Sequence, residues 1–189
     1  LLPPSDWDGL FYHLTGPKLY LQAGRIVGGI DIPHLSFPSL LEMLFIWAIL
    51  LRSDIAAKLL HAGFALLLAG LVYLTARRFL GRQPAWLAVV VFASMPMVNT
   101  LAGWAYNDLA LAFYQLASLY AVINYQLIMN KEQAAEKTPP PVPTTPISNL
   151  ESPISTPKTQ NSKLSWLILS AIFAGLAMGL KYTSFVTPL

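Results

Sequence analysis

Residues 53–80 read SDIAAKLLHAGFALLLAGLVYLTARRFL. This run exceeds the roughly 20 apolar residues needed to cross a bilayer. It opens on a Ser-Asp pair suited to a helix start and ends at Arg77, Arg78 and Gly81, a basic last turn followed by a stop. The stretch predicts a transmembrane helix, span A, and the rest of the chain extends the pattern. Of 189 residues, 55% are hydrophobic and only 11% charged, with a mean hydropathy of +0.54, which puts the chain in the membrane class. The net charge of +3 is too dispersed for a nucleic-acid binder. The absence of cysteine excludes disulfides, thiolate metal sites and thiol nucleophiles.

Downstream of span A, Pro84 occupies a favoured first-turn position, and AWLAVVVFASMPMVNTLAGW forms span B, kinked or ended near Pro96. DLALAFYQLASLYAVINYQLIM, from Asp108, is span C, and LSWLILSAIFAGLAMGLKYTSFV, after Ser162, is span D. The expected fold is therefore an all-α polytopic membrane protein with about four transmembrane helices. Residues 1–52 form a non-cytoplasmic segment, 53–129 hold spans A to C, 130–162 form a disordered Pro/Ser/Thr-rich linker, and 163–189 form span D. The chain starts at Leu1 with no basic-then-apolar leader and ends on the apolar KYTSFVTPL, so it reads as a piece of a longer parent, in which the isolated piece need not be active.

Orientation follows from basic residues. Arg77, Arg78 and Arg82 crowd the A–B turn, whereas the B–C loop has no Lys or Arg and one acid, Asp108; the positive-inside rule puts the A–B turn in the cytoplasm. Asp108 and the N-terminal segment then share the opposite face. There, FPSLLEMLFIWAILL (37–51) is too short and, with Glu42, too charged to cross, and reads as an interfacial or re-entrant helix from which Glu42 snorkels.

Asp6, Asp8 and Asp108, together with Asp31 and Glu42, thus fall at one interface. Carboxylates there can take a proton from an acceptor, hold a divalent cation or orient a sugar. Each has a plainer reading: Asp6 and Asp8 as solvated loop acids, and Asn107 and Asp108 as helix caps. A short amphipathic helix over 9–23 carries Tyr12, His13 and Tyr20, with aromatics as interface anchors and His13 as a hydrogen-bonding residue or substrate contact. Lys181, inside an apolar run near the outer end of span D, is either a phosphate contact or a snorkelling lysine.

Taken in order, DWDGLFYHLTGPKLYLQAGRI, HLSFPSLLEML, span A, ASMPMVNTLAGWAYNDLALAFYQLASLY and GLAMGLKYTSFVTPL resemble the N-terminal part of the GT-C glycosyltransferases, and in particular the bacterial membrane enzymes related to protein O-mannosyltransferases and aminoarabinose transferases. The resemblance implies transfer of a sugar from a polyprenyl-phosphate donor to a glycan, lipid or protein acceptor. It implies Asp8 as the base and Asp108 as the second acid, with a possible divalent metal on the two. Substrate contacts would come from Asp6, Tyr12, His13, Lys18, Arg25, His34, Glu42 and Lys181, of which Lys18, Arg25 and Lys181 could balance phosphate charge. Relatives read His-Pro-Pro-Leu where this chain has HLSFPSL at His34. The implied setting is a bacterial inner membrane with the site on the periplasmic or outer face. The competing readings are a transporter or flippase using the acids to bind a cation or proton, and a non-catalytic scaffold. Transporters place ionisable residues midway along broken helices, whereas these acids gather at one interface.

Overall fold

The structure, a computed structural model, describes residues 3–36, 38–51, 53–137 and 157–181. Every element among them is helical. A π-turn at Gly9–His13 leads into α1 (Thr15–Ala23), a 3₁₀ turn spans Pro33–Ser36, and α2 (Leu40–Leu51) follows. The long elements are α3 (Asp54–Leu80), α4 (Arg82–Ser94), α5 (Pro96–Ala102), α6 (Asp108–Lys137) and α7 (Pro157–Met178).

Span A is α3, capped as its sequence predicts: the Ser53 hydroxyl accepts from the Ile55 N–H at 3.3 Å. Span B is the pair α4 and α5, bent by 67° at Met95. Pro96 denies the helix an amide and pushes the preceding residue into extended backbone, so Met95 sits at ψ 120. Asn99 bridges the break: its Nδ2 donates to Ala93 O (2.8 Å) and to Met95 O (3.2 Å), which also accepts the Asn99 N–H at 3.3 Å.

By length and apolarity α3 and α7 can cross a membrane, and the bent α4–α5 pair makes a third crossing if it is one span. The expected fourth, span C, is α6. Its 30 residues reach about 45 Å at 1.5 Å per residue, but it is less apolar than the others. The physical reason is position: α6 packs along both α3 and α7, so its polar residues bury against protein. Ser118 donates to Ser170 O at 3.2 Å, and Asn124 donates to Tyr120 O at 2.7 Å.

The stretch read as linker is helical at both ends. The helix formers KEQAAEK carry α6 on to Lys137, α7 begins at Pro157, and Lys163 and Glu132 form an ion pair between the two helices. The middle, 138–156, lies outside the described residues. At the other end α7 stops at Met178, short of the expected span, and Lys181 follows it rather than lying within a helix. Residues 182–189 lie outside the described residues.

The buried core sits at the N-terminal end of α3, where Leu14, Leu41, Phe45, Ala48, Ala57, Ala105, Ala110 and Leu180 cluster. This core holds α2, the helix read as interfacial or re-entrant, by one side. One face of α2 is buried, the other presents Leu44, Trp47, Leu50 and Leu51, and its first amide is met by Gly179, whose carbonyl accepts from Leu40 N–H at 3.0 Å.

Candidate active site

Above this core the structure brings together the π-turn, the start of α2, the α5–α6 loop and the turn after α7. The two opening aspartates separate into different roles. Asp6 is buried, and its Oδ2 accepts from the Gly9 N–H at 2.8 Å, an i to i+3 cap that starts the π-turn. It is neither a solvated acid nor an open substrate contact. Asp8, two residues on and half-buried, accepts no side-chain hydrogen bond at the π-turn and takes part in no ion pair among the described residues.

The expected helix over 9–23 is present with an interruption. Leu14 N–H reaches back five residues to Gly9 O at 2.9 Å, and regular α-helix begins only at Thr15. Such π-turns recur at functional sites. This one turns the rings of Tyr12 and His13 toward neighbours: Tyr12 stacks on His34 with centroids 4.8 Å apart, and His13 lies 5.1 Å from Tyr106.

Tyr12 and Tyr106 register both acids. Burial and then the nearby charge of Asp8 raise the Tyr12 hydroxyl above its ordinary pKa, with Asp108 and Glu42 adding to the rise. Burial, Asp8 and Asp6 push Tyr106 up to about 12 against a weaker opposing hydrogen bond from the Asp8 backbone, and Asp108 adds a smaller upward push. Asp8 and Asp108, 100 positions apart in sequence, therefore act on the same two phenols.

Asp108 does not cap α6, and neither does Asn107. The amide next in line, Leu109 N–H, donates to His61 Nε2 at 3.2 Å, while His61 Nδ1 donates to Trp104 O at 2.8 Å. A histidine from α3 thus clamps the α5–α6 loop from below. The sequence reading missed it, although an ionisable residue inside a 27-residue apolar helix is itself a signal. With the cap supplied, the Asp108 carboxylate is free to take Lys181, whose Nζ lies 2.6 Å from Oδ1.

Glu42 departs furthest from expectation. It does not snorkel but is buried, 6% exposed, with Oε1 accepting from His13 Nδ1 at 2.6 Å and from Asn107 Nδ2 at 3.1 Å. His13 is 0% exposed, so it offers no surface to a substrate. Its short side-chain distance to Glu42 explains why a carboxylate tolerates this position: a buried acid has to be hydrogen-bonded. A small pocket of about 20 Å³ lies alongside, lined among others by Tyr12, His34, Glu42, Asn107 and Lys181.

The remaining expected contacts lie apart. Lys18 pairs with Asp54 Oδ2 at 2.6 Å, at the start of α3. Arg25 is exposed just after the left-handed Gly24 (φ 64) that ends α1. The divalent cation expected on Asp8 and Asp108 has no group of three His, Cys, Asp or Glu ligands among the described residues, and Asp108 Oδ1 already receives the Lys181 ammonium.

Residues 47–139 match the family model of the dolichyl-phosphate-mannose-protein mannosyltransferases. That segment runs from within α2 to just past the end of α6 and includes Asp108 and His61. No curated protein and no solved structure matches the chain.

Proposed function

We propose that this chain belongs to an integral membrane glycosyltransferase of GT-C type, a reading supported by the match of residues 47–139 to the dolichyl-phosphate-mannose-protein mannosyltransferase family model. Its donor is a polyprenyl-phosphate sugar, with mannose the first candidate, and its acceptor is a hydroxyl on a protein, glycan or lipid. Asp8 is the base. Its carboxylate takes the acceptor's O–H proton while the oxygen attacks the anomeric carbon from the face opposite the leaving group. The bond from that carbon to the phosphate oxygen breaks, its electron pair leaves with the lipid phosphate, and the anomeric centre inverts. Charge growing on that phosphate is met by the Lys181 ammonium, held at the pocket edge by Asp108.

The observation that carries this reading is the contrast between two acids at one end of the bundle: Asp8 in no ion pair among the described residues, and Asp108 joined to a lysine. A base needs a free carboxylate, and a departing phosphate needs a cation close by. The tail of the donor has support as well. An open apolar groove of about 540 Å³ runs between α3, α6 and α7, lined by Leu67, Leu74, Phe113 and Phe173 among others. The basic turn with Arg77, Arg78 and Arg82 lies at the far end of α3 from the site, about 40 Å away at 1.5 Å per residue. With that turn inside, the chemistry takes place on the non-cytoplasmic face, periplasmic in a bacterial inner membrane.

The test is transfer by the full-length chain in lipid from radiolabelled polyprenyl-phosphate mannose and a panel of related donors, comparing wild type with Asp8→Asn. Loss of a positioned base is worth about 10²- to 10⁴-fold, and a drop of that size with unchanged folding is the expected result. Undiminished turnover in Asp8→Asn would remove Asp8 from the chemistry, and wild-type inactivity with every donor would sink the transferase reading.

A further inference from the structure

We propose that Glu42 is the positioning residue of this site, a single buried carboxylate that holds three catalytic segments in register. The inference rests on the transfer reading above, and its geometry is independent of it. Each arm of the Glu42 network ends beside a residue of the proposed chemistry. His13, bonded to Oε1 at 2.6 Å, ends the π-turn whose N-cap is Asp8. Asn107, bonded to the same oxygen at 3.1 Å, is the neighbour of Asp108. Asn107 Nδ2 also donates to Leu180 O at 3.2 Å, and Leu180 is the neighbour of Lys181.

Three stretches far apart in sequence thus meet at one atom or one bond beyond it. The base, the second acid and the lysine are each one to five residues from a hydrogen bond in this network. Nothing else among these contacts joins all three segments: Asp6 bonds within its own turn, and His61 holds only the α5–α6 loop and the start of α6.

The arrangement is also poor economy for stability alone. Burying a carboxylate is rarely better than burying a hydrophobic residue of similar size. The second oxygen, Oε2, has no hydrogen-bond partner among the described residues, and neither does Asn107 Oδ1. A network left partly unsatisfied costs more than an apolar core, which points to a use in setting register. Glu42 itself touches no proposed reacting atom, so its effect runs through the segments it ties.

The chain has no cysteine, so exposed positions can be spin-labelled without background. Label pairs at Leu10→Cys with Met178→Cys, and at Leu10→Cys with Leu119→Cys, report the π-turn against α7 and α6; all three sites are exposed. The full chain in nanodiscs is compared as wild type, Glu42→Gln, Glu42→Asp and Glu42→Ala, with distances and transfer from polyprenyl-phosphate mannose measured on each. Glu42→Gln keeps an acceptor at Oε1 and should keep narrow distances and near-native kcat. Glu42→Asp keeps the charge but shortens the reach by one methylene, and serves should Glu42→Ala not fold.

Asp and Ala variants are expected to broaden both distance distributions and to lower kcat by up to about 10²-fold, the effect of a displacement near 1 Å, with KM for the donor held. Unbroadened distances in Glu42→Asp and Glu42→Ala would overturn the proposal. So would loss of turnover in Glu42→Gln with narrow distances, because the charge would then be acting on substrate. If wild type turns over no donor, the distances alone decide: broadening upholds Glu42 as the register while the transferase reading falls.

Discussion

Lys181 Nζ and Asp108 Oδ1 meet at 2.6 Å across 73 positions of sequence, joining the turn after α7 to the first residue of α6. Both side chains are about a third exposed, 30% and 33%. Ion pairs so placed contribute about 0–1 kcal/mol to stability. The pair therefore adds little to folding, and the proposed mechanism gives it a part in transfer. Asp108→Asn and Lys181→Met should each leave thermal unfolding close to wild type while transfer falls by a factor on the order of 10² or more. Calorimetry alongside a transfer assay separates the two effects; a large loss of stability with transfer intact would contradict this division.

Gly9 is the one position in the π-turn where a side chain has no room. A Cβ there would lie 2.1 Å from Asp6 Oδ2, the atom that accepts the Gly9 N–H. Gly9→Ala should break the cap, which is worth about 0.5–2 kcal/mol, and shift Asp8 with it. Asp6→Ala removes the same cap by another route. The double variant should be little less stable than the worse single one, because the two changes act on a single interaction. Additive losses in chemical denaturation would show that they do not.

Tyr106 gives the site a pH signature. Burial and the charges of Asp8 and Asp6 push its hydroxyl up to about 12, two units above the ordinary phenol. The fold favours the neutral form, so its contribution is fully present below pH 10, where the unfolded phenol is also neutral. It is lost as pH climbs through about 12, because the unfolded chain releases that proton first. Stability should fall across pH 10–12, and Tyr106→Phe should flatten the fall in that window. A tyrosinate absorbance titration should show the corresponding late step disappear in the variant.

His61 is both donor and acceptor, to Trp104 O and from Leu109 N–H, and it is fully buried. His61→Leu leaves both backbone groups without these partners, at about 1–3 kcal/mol for each buried group. His61→Gln can keep one bond and should lose less. Unfolding in detergent, followed by circular dichroism, should rank wild type, Gln and Leu in that order.

Much of the scaffold was legible because it follows local rules. Ser53 and Gly81 bracket α3 as cap and stop, and Pro96 breaks span B where its missing amide requires. Asp108 and Lys181 stand out one at a time, each as an ionisable group against an apolar run. Their contact is not legible, because no local pattern ties positions 73 apart. Glu42 was misread for a related reason. A charge in a short apolar helix points to water unless partners await it, and His13 and Asn107 lie 29 and 65 positions away. The ends of α6 and α7 were set too short and too long, respectively, because apolarity marks where a membrane would lie and not where helical hydrogen bonding stops.

Both ring nitrogens of His61 are committed to backbone groups, one giving a hydrogen and one receiving, and no solvent reaches them. The ring cannot pick up a proton without breaking the Leu109 bond, so the one imidazole inside α3 cannot serve as a stepping stone between the two sides of a bilayer.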